Sequence, residues 1–379
     1  MKRNLFHVAI VLALTSAPAA AQQAVKMFNI VELSGPGTTA GTNFKNGVEM
    51  AVKEINAAGG ILGRKIATET YDTQSNPQTA KALSQKAVDN DAFVVMGPVF
   101  SGSIMVSMAE TRRAEVPNFT GGEAAGITLQ GNPYVFRTSF SQATGMPKVA
   151  NYLAQGIKAK SVAVIFVNND FGKGGRDQMV KELAARNIRL AADISTDQAQ
   201  VDFSAAVLRA KQANADALFV YLNEDESGRI LRELRKQGYD KPIVGETTIM
   251  GQKVIELAGD AANGVRGHVG LTVDAPNPSI RAFSDKFERE YKYRSDHNGI
   301  KGYFGVYALK AATEKAGGFD RKAVAQALKN TCYSVKQHPG LLMDVCFDDK
   351  GDIDRDSFLV EVKGGKQVVV ETLPPLKKP

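Results

Sequence analysis

The chain has 379 residues, enough for two domains, and 44% of them are hydrophobic, as ordinary globular cores require. Its formal net charge is +7, or +5 once Lys2 and Arg3 leave with an N-terminal leader (45 basic against 40 acidic residues). The basic residues are scattered among acids with no basic stripe and interleaved aromatics, which argues against nucleic acid as a partner.

The leader comes first. Lys2 and Arg3 precede an apolar run over residues 5–14, and Ala19, Ala20 and Ala21 supply the small residues of a cleavage site before Gln22. This is a secretory signal pattern for residues 1–21, with a run far short of the ~20 apolar residues of a membrane span. No Cys stands near the cleavage site, so no lipid anchor is expected, and the mature chain should be soluble and exported.

Residues 28–65 carry the most information. They read as a buried strand (28–33), a Ser-Gly-Pro loop, an amphipathic helix (43–58) and a Gly59-Gly60 stop. Phe44, Val48, Ala51, Val52 and Ile55 form its apolar face. A loop of this kind exposes N–H groups and small hydroxyls at the carboxyl end of a strand, where open α/β sheets bind small ligands. Strands then alternate with helices: 65–71, 93–97, 116–120 and 134–139 as strands, 78–90 and 103–114 as helices. A second series follows, with strands at 162–167, 188–194, 217–222, 241–245 and 265–272. Helices run from 176 to 186, over 203–214 and over 227–237. The alternation predicts an α/β fold with parallel sheets and helices on both faces. Helices at 279–293 and 303–316 return to the first series, and 358–362 with 367–371 form a terminal hairpin.

Cys332 and Cys346 are expected to pair in an oxidising compartment. In the chain-entropy model a loop of that size contributes roughly 3 kcal/mol. Catalytic signatures are weak. Residues 35–42 lack the Gly-Lys-Ser/Thr ending of a P-loop, and residues 97–101 are not a nucleophile elbow. His268, His297 and His338 have no metal-ligand spacing, and the aspartates of 352–356 lack the Gly and distal Glu of a calcium loop. No enzyme activity, metal or cofactor is expected.

Several motifs occur in order: Ser34-Gly35-Pro36 with Gly47; residues 55–61, Ile-Asn-Ala-Ala-Gly-Gly-Ile, with Gly63; Tyr71-Asp72; Gly97 with Ser101 and Ser103; Phe171-Gly172; and Phe347-Asp348 with Gly351-Asp352. In this order they resemble the type I periplasmic solute-binding proteins of ABC importers, in particular the branched-chain amino-acid (leucine, isoleucine, valine) binding family. The resemblance runs from about Val25 to Glu371. It implies two Rossmann-like lobes, residues 22–141 plus 273–349 and residues 142–272 plus 350–379. A three-stranded hinge joins them near Ser141, Thr272 and Asp349. It also implies a monomeric periplasmic receptor that closes on a small amino-acid-like solute and delivers it to a membrane permease. The alternatives are a same-fold receptor for amides, urea-like solutes or aromatic acids, and a ligand-sensing module.

The resemblance also marks site positions. Ser101 and Ser103, with Gly122, fall on loops that hold a ligand carboxylate, although a simple N-cap would explain either serine. Ala124 stands where a Thr would complete that site, and Glu123 adds a charge beside it. Phe171 replaces a Tyr against the ligand, or serves lobe packing. Asn223 and Glu224 follow a strand end. Glu246 and Thr247 fall near the family's carboxylate for a ligand ammonium, with Thr247 on the aligned position. Ala40 leaves room where an aromatic is frequent. Tyr303 lines the cleft or packs between helices.

Overall fold

The computed structural model describes residues 23–376, so the leader lies outside the described residues. The chain begins with β1 (Val25–Val31), α1 (Thr38–Ala57), β2 (Ile66–Asp72), α2 (Pro77–Asp89), β3 (Val94–Met96), α3 (Ser101–Arg113), β4 (Asn118–Thr120), α4 (Gly126–Leu129) and β5 (Val135–Arg137). These strands form a five-stranded, all-parallel sheet in the order β2-β1-β3-β4-β5. The second series is α5 (Gln142–Asn151), β6 (Ser161–Val167), α6 (Asp170–Ala185), β7 (Arg189–Thr196), α7 (Ser204–Gln212), β8 (Ala217–Tyr221), α8 (Glu224–Lys236), β9 (Ile243–Gly245), α9 (Gln252–Ala258) and β10 (Arg266–Val269). The chain then runs through α10 (Pro278–Tyr291), α11 (His297–Ala316), α12 (Arg321–Leu328), β11 (Thr331–Tyr333), β12 (Val345–Phe347) and β13 (Ile353–Asp354). It ends with β14 (Ser357–Lys363) and β15 (Lys366–Leu373).

The second sheet has seven strands in the order β15-β14-β10-β9-β8-β6-β7. It is parallel except at β14 and β15, which pair antiparallel. Fully buried β6 and β8 read as continuous apolar runs because helices cover both faces. The two α/β layers are the two lobes of the expected fold. A small antiparallel sheet of β11, β12 and β13 was not foreseen, nor was α12. In that small sheet Cys332 sits opposite Cys346, and the two are disulfide-bonded.

Two differences from the sequence reading matter for function. First, α1 begins at Thr38 rather than 43, directly after a short turn over Gly35–Gly37. The Ser-Gly-Pro loop therefore does not present its polar groups to a ligand. The N–H groups of Leu33 and Ser34 donate to Asp72 Oδ1, and the Ser34 hydroxyl donates to Asp72 Oδ2 at 2.6 Å. Second, α11 begins at His297 rather than 303, capped by Asp296, whose carboxylate accepts from the N–H of Asn298 at 2.8 Å. Helix α11 packs against α1 at backbone distance. A Cβ on Gly302 would stand 2.1 Å from the Phe44 carbonyl oxygen, and one on Gly47 would stand 2.0 Å from that of Gly299. Only glycine permits this approach, and it carries the first turns of α11 to the carboxyl edge of the first sheet.

Candidate functional site

A cavity of about 200 Å³ lies between the lobes. It is lined from the carboxyl ends of strands in both sheets, where loops lead into α3, α6 and α8, and by the start of α11.

The first lobe supplies an anion-binding wall. Phe100, the residue before α3, provides no side-chain cap. The first N–H groups of the helix are therefore open to a ligand, and the helix dipole favours negative charge there. Ser101 and Ser103 are both buried at this end and line the cavity. Burial raises the Glu32 carboxyl behind this helix start, and the Ser103 side chain beside it opposes that rise. Ser101 Oγ accepts from the N–H of Ala124 at 3.2 Å, which joins the α3 start to the loop over 121–124. That loop is fixed from behind by Arg137. Its guanidinium is fully buried and donates to the carbonyl oxygens of Gly122 and Ala124, and it is ion-paired with Asp352. Asp352, the first of the aspartates that fail as a calcium loop, thus holds a buried arginine. Buried Glu32 accepts from the N–H groups of Val99 and Phe100, at 3.0 and 3.2 Å, and fixes the loop before α3.

A chain of buried polar groups forms the deep wall. Glu224 Oε1 accepts from Asn298 Nδ2 at 3.2 Å. Asn298 Oδ1 accepts from Lys301 Nζ at 3.4 Å, and Lys301 pairs with Glu123 Oε1 at 3.0 Å. Glu123 Oε2 in turn accepts from the Tyr221 hydroxyl of the second lobe at 3.2 Å. Burial pushes the Glu123 carboxyl up to about 7 against the opposing pull of Lys301, with neighbouring Glu246 adding to the rise. Glu224 is pushed up to about 7, chiefly by burial and then by Asp296, itself raised to about 6 by burial. Burial and then Lys301 hold His297 well below the ordinary imidazole range, so it is neutral.

The second lobe adds an aromatic face. Phe171 stacks on Tyr221 with ring centroids 4.2 Å apart. Gly175 makes room for that tyrosine, since a Cβ there would stand 2.1 Å from its ring.

Of the residues singled out from sequence, Ala40, Ser101, Ser103, Gly122, Glu123, Phe171, Asn223 and Glu224 line the cavity. Asn223 is also engaged in the capping box of α8, where its N–H donates to Glu226. Four others do not line it. Tyr303 points away: its hydroxyl donates to Glu54 at 2.6 Å and its ring packs on Phe283, because α11 turns that face toward α1 and α10. Ala124 reaches the site only through its N–H on Ser101. Glu246 and Thr247 lie behind the lining. Glu246 Oε1 takes the Thr247 hydroxyl at 2.8 Å and lies 2.8 Å from His268 Nδ1. Burial holds that histidine down to about 3. Sequence reasoning missed His297, Asn298 and Lys301. The available signal was Asp296 as an N-cap, followed by glycines every three residues at 299, 302 and 305.

Among the described residues no cluster of His, Cys, Asp or Glu could hold a metal ion, and no helix is long and apolar enough to cross a membrane.

Known proteins agree with this architecture. The family model described as periplasmic binding protein matches residues 24–367. The chain is 29% identical over 345 residues to the Leu/Ile/Val-binding protein BraC3 of Rhizobium johnstonii, covering 90% of this chain and 92% of that protein. It is 26% identical to the leucine-, isoleucine-, valine-, threonine- and alanine-binding protein of Pseudomonas aeruginosa, covering 86% and 87%. Among solved structures, the isoleucine-bound substrate-binding protein LivJ of Streptococcus pneumoniae superposes with a TM-score of 0.84 at 25% identity, over 93% of this chain and 100% of that one. A benzoate-bound solute-binding protein of R. palustris superposes at 0.86 with 22% identity, over 94% and 98%. With the family model spanning both lobes and the cleft between them, the chain belongs to the periplasmic binding protein family.

Proposed function

We propose that this protein is the solute receptor of an ABC importer: it captures a small amino-acid-like or other carboxylate-bearing solute between its lobes and releases it unchanged to a membrane permease. One observation carries the reading. The uncapped start of α3, with the buried side chains of Ser101 and Ser103 beside it, opens into the interlobe cavity and forms a ready anion site. Glu224, on the opposite lobe, suits an ammonium or amide on the same solute. The similar proteins named for leucine, isoleucine and valine support a solute of that size.

Burial from both sides is physically necessary for such a ligand. A solute of about nine heavy atoms needs roughly −8 kcal/mol for micromolar affinity, near 1 kcal/mol per atom and not far below the ceiling for very small ligands. Closure supplies that burial. It also gives the permease a shape that reports occupancy, because the ligand favours the state in which it touches both lobes. The lobes on this reading are residues 22–141 with 273–349, and 142–272 with 350–379. The receptor works in the periplasm as a monomer after removal of residues 1–21.

The test is a thermal-shift titration of the mature protein, stripped by unfolding and refolding, against amino acids, amides, urea and aromatic acids. A carboxylate-bearing solute should raise the apparent stability in proportion to its saturation. Ser101→Ala should weaken that solute about tenfold, by loss of a hydroxyl that faces its anionic group. If no carboxylate-bearing solute shifts the transition, or Ser101→Ala leaves every affinity unchanged, the reading is wrong.

A further inference from the structure

The walls of the cavity differ in kind. The α3 side carries Ala40, Val99 and Phe100, with Phe171 opposite, and the more exposed rim carries Ser75, Pro77, Asn169, Asp170 and Gln198. The deep wall is polar throughout: Glu123, Glu224, Thr248, His297, Asn298 and Lys301, each no more than 6% exposed. An aliphatic side chain seated there would strip these groups of water and return no hydrogen bond, and leaving buried polar groups unmatched is costly. Glu224 is the sharpest case. It lines the cavity, is 5% exposed, and takes one side-chain hydrogen bond, from Asn298 to its Oε1. Lys301 already has three partners, Glu123, the Gly121 carbonyl and Asn298, so it braces the wall and polarises it.

We propose that the solute is polar at both ends: at the end remote from its carboxylate, and apart from any α-ammonium, it carries a hydrogen-bonding group, amine or amide, that enters the deep wall and meets Glu224. Glu224 is then the specificity-determining residue, and the cavity selects against ligands whose far end is purely aliphatic or an unsubstituted aromatic ring. This inference rests on the proposed function and narrows its solute class.

Glu246 does not compete for this role. It does not line the cavity: it is tied to Thr247, lies beside His268 and packs against the back of Glu123. A site built to receive a polar group rejects an analogue of the same shape that lacks it far more strongly than an apolar pocket rejects an added hydroxyl.

The experiment is isothermal calorimetry on the refolded mature protein with pairs matched in shape: glutamine or asparagine against leucine, threonine against valine, and 4-aminobenzoate against benzoate. In at least one pair the polar member should bind about tenfold or more tightly than its apolar partner. Glu224→Gln should lower that affinity about tenfold while leaving the thermal transition of the ligand-free protein in place or higher. Glu246→Gln, made alongside, should leave the preference between pair members unchanged. If, in every pair that binds, the apolar member binds as tightly as its polar partner, the inference fails while the receptor reading stands. If Glu224→Gln leaves the preference intact, the inference also fails. If no carboxylate of any pair binds, both fail together.

Discussion

Ser101 and Lys301 show how unevenly single residues announce themselves. Ser101 was legible because it follows a buried strand and opens a helix, and both features are local in sequence. Glu224 was legible for the same reason, just after a strand, whereas Ala40, Gly122, Glu123 and Phe171 were legible through the family resemblance. Lys301, His297 and Asn298 were not. They sit on α11, a helix buried around most of its circumference, so no apolar stripe marks its start or orientation. The same helix explains the departure at Tyr303, whose hydroxyl goes to Glu54 rather than to the cleft. Tyr303→Phe should therefore cost about 1 kcal/mol of stability, read by urea denaturation, and leave ligand affinity unchanged. A weakened affinity with unchanged stability would return Tyr303 to the cleft.

At the scale of elements, the site depends on how closely α11 approaches α1. Gly47 and Gly299 meet at backbone distance, and a methyl group there would stand 2.0 Å from a carbonyl oxygen. Gly47→Ala should cost about 1–3 kcal/mol by overpacking. It should also weaken the ligand, because displacement of α11 carries Lys301 and Asn298 with it. Unaltered affinity in a destabilised Gly47→Ala protein would show that α11 does not position the deep wall. The small sheet of β11, β12 and β13 gives the contrast. None of its residues lines the cavity, and its disulfide closes a local loop. Replacing both cysteines with serine should cost roughly 3 kcal/mol in the chain-entropy model. Calorimetric affinity should not change, and a loss would tie the small sheet to closure. The sequence showed the α/β alternation and the cysteine pair but not this sheet. Its strands are two or three residues long, too short for periodicity to mark.

For the whole molecule, the buried acids make folding proton-linked. Glu123 and Glu224 are both raised to about 7, first of all by burial, from the ordinary 4.5 that hydration restores when the chain unfolds. The folded state therefore binds more protons than the unfolded one. The stability held by these carboxyls is present at low pH and is lost as pH rises through about 7. Charged and titratable neighbours face Glu123 from every side. They are Lys301 on α11, Glu246 after β9 and Tyr221 on β8, with His268 on β10 beside Glu246. His268 and His297 act in the opposite sense, since both are held neutral and their stabilisation is lost as pH falls below about 6.5. The acids thus dominate above pH 7. The melting temperature of the ligand-free protein should fall between pH 7 and 8.5, and Glu123→Gln should flatten that slope. A transition that rises over the same interval would refute the linkage.

One cavity that grips a solute from both lobes is central to the proposed function. The most direct measurement is a calorimetric titration of the refolded mature protein with its best-bound carboxylate, repeated on Ser101→Ala and Glu224→Gln. These two residues stand on opposite lobes and both line the cavity. The account predicts one site per chain and a loss of about tenfold in each variant, with each protein still melting cooperatively. Full wild-type affinity in both variants would place the solute elsewhere and contradict it.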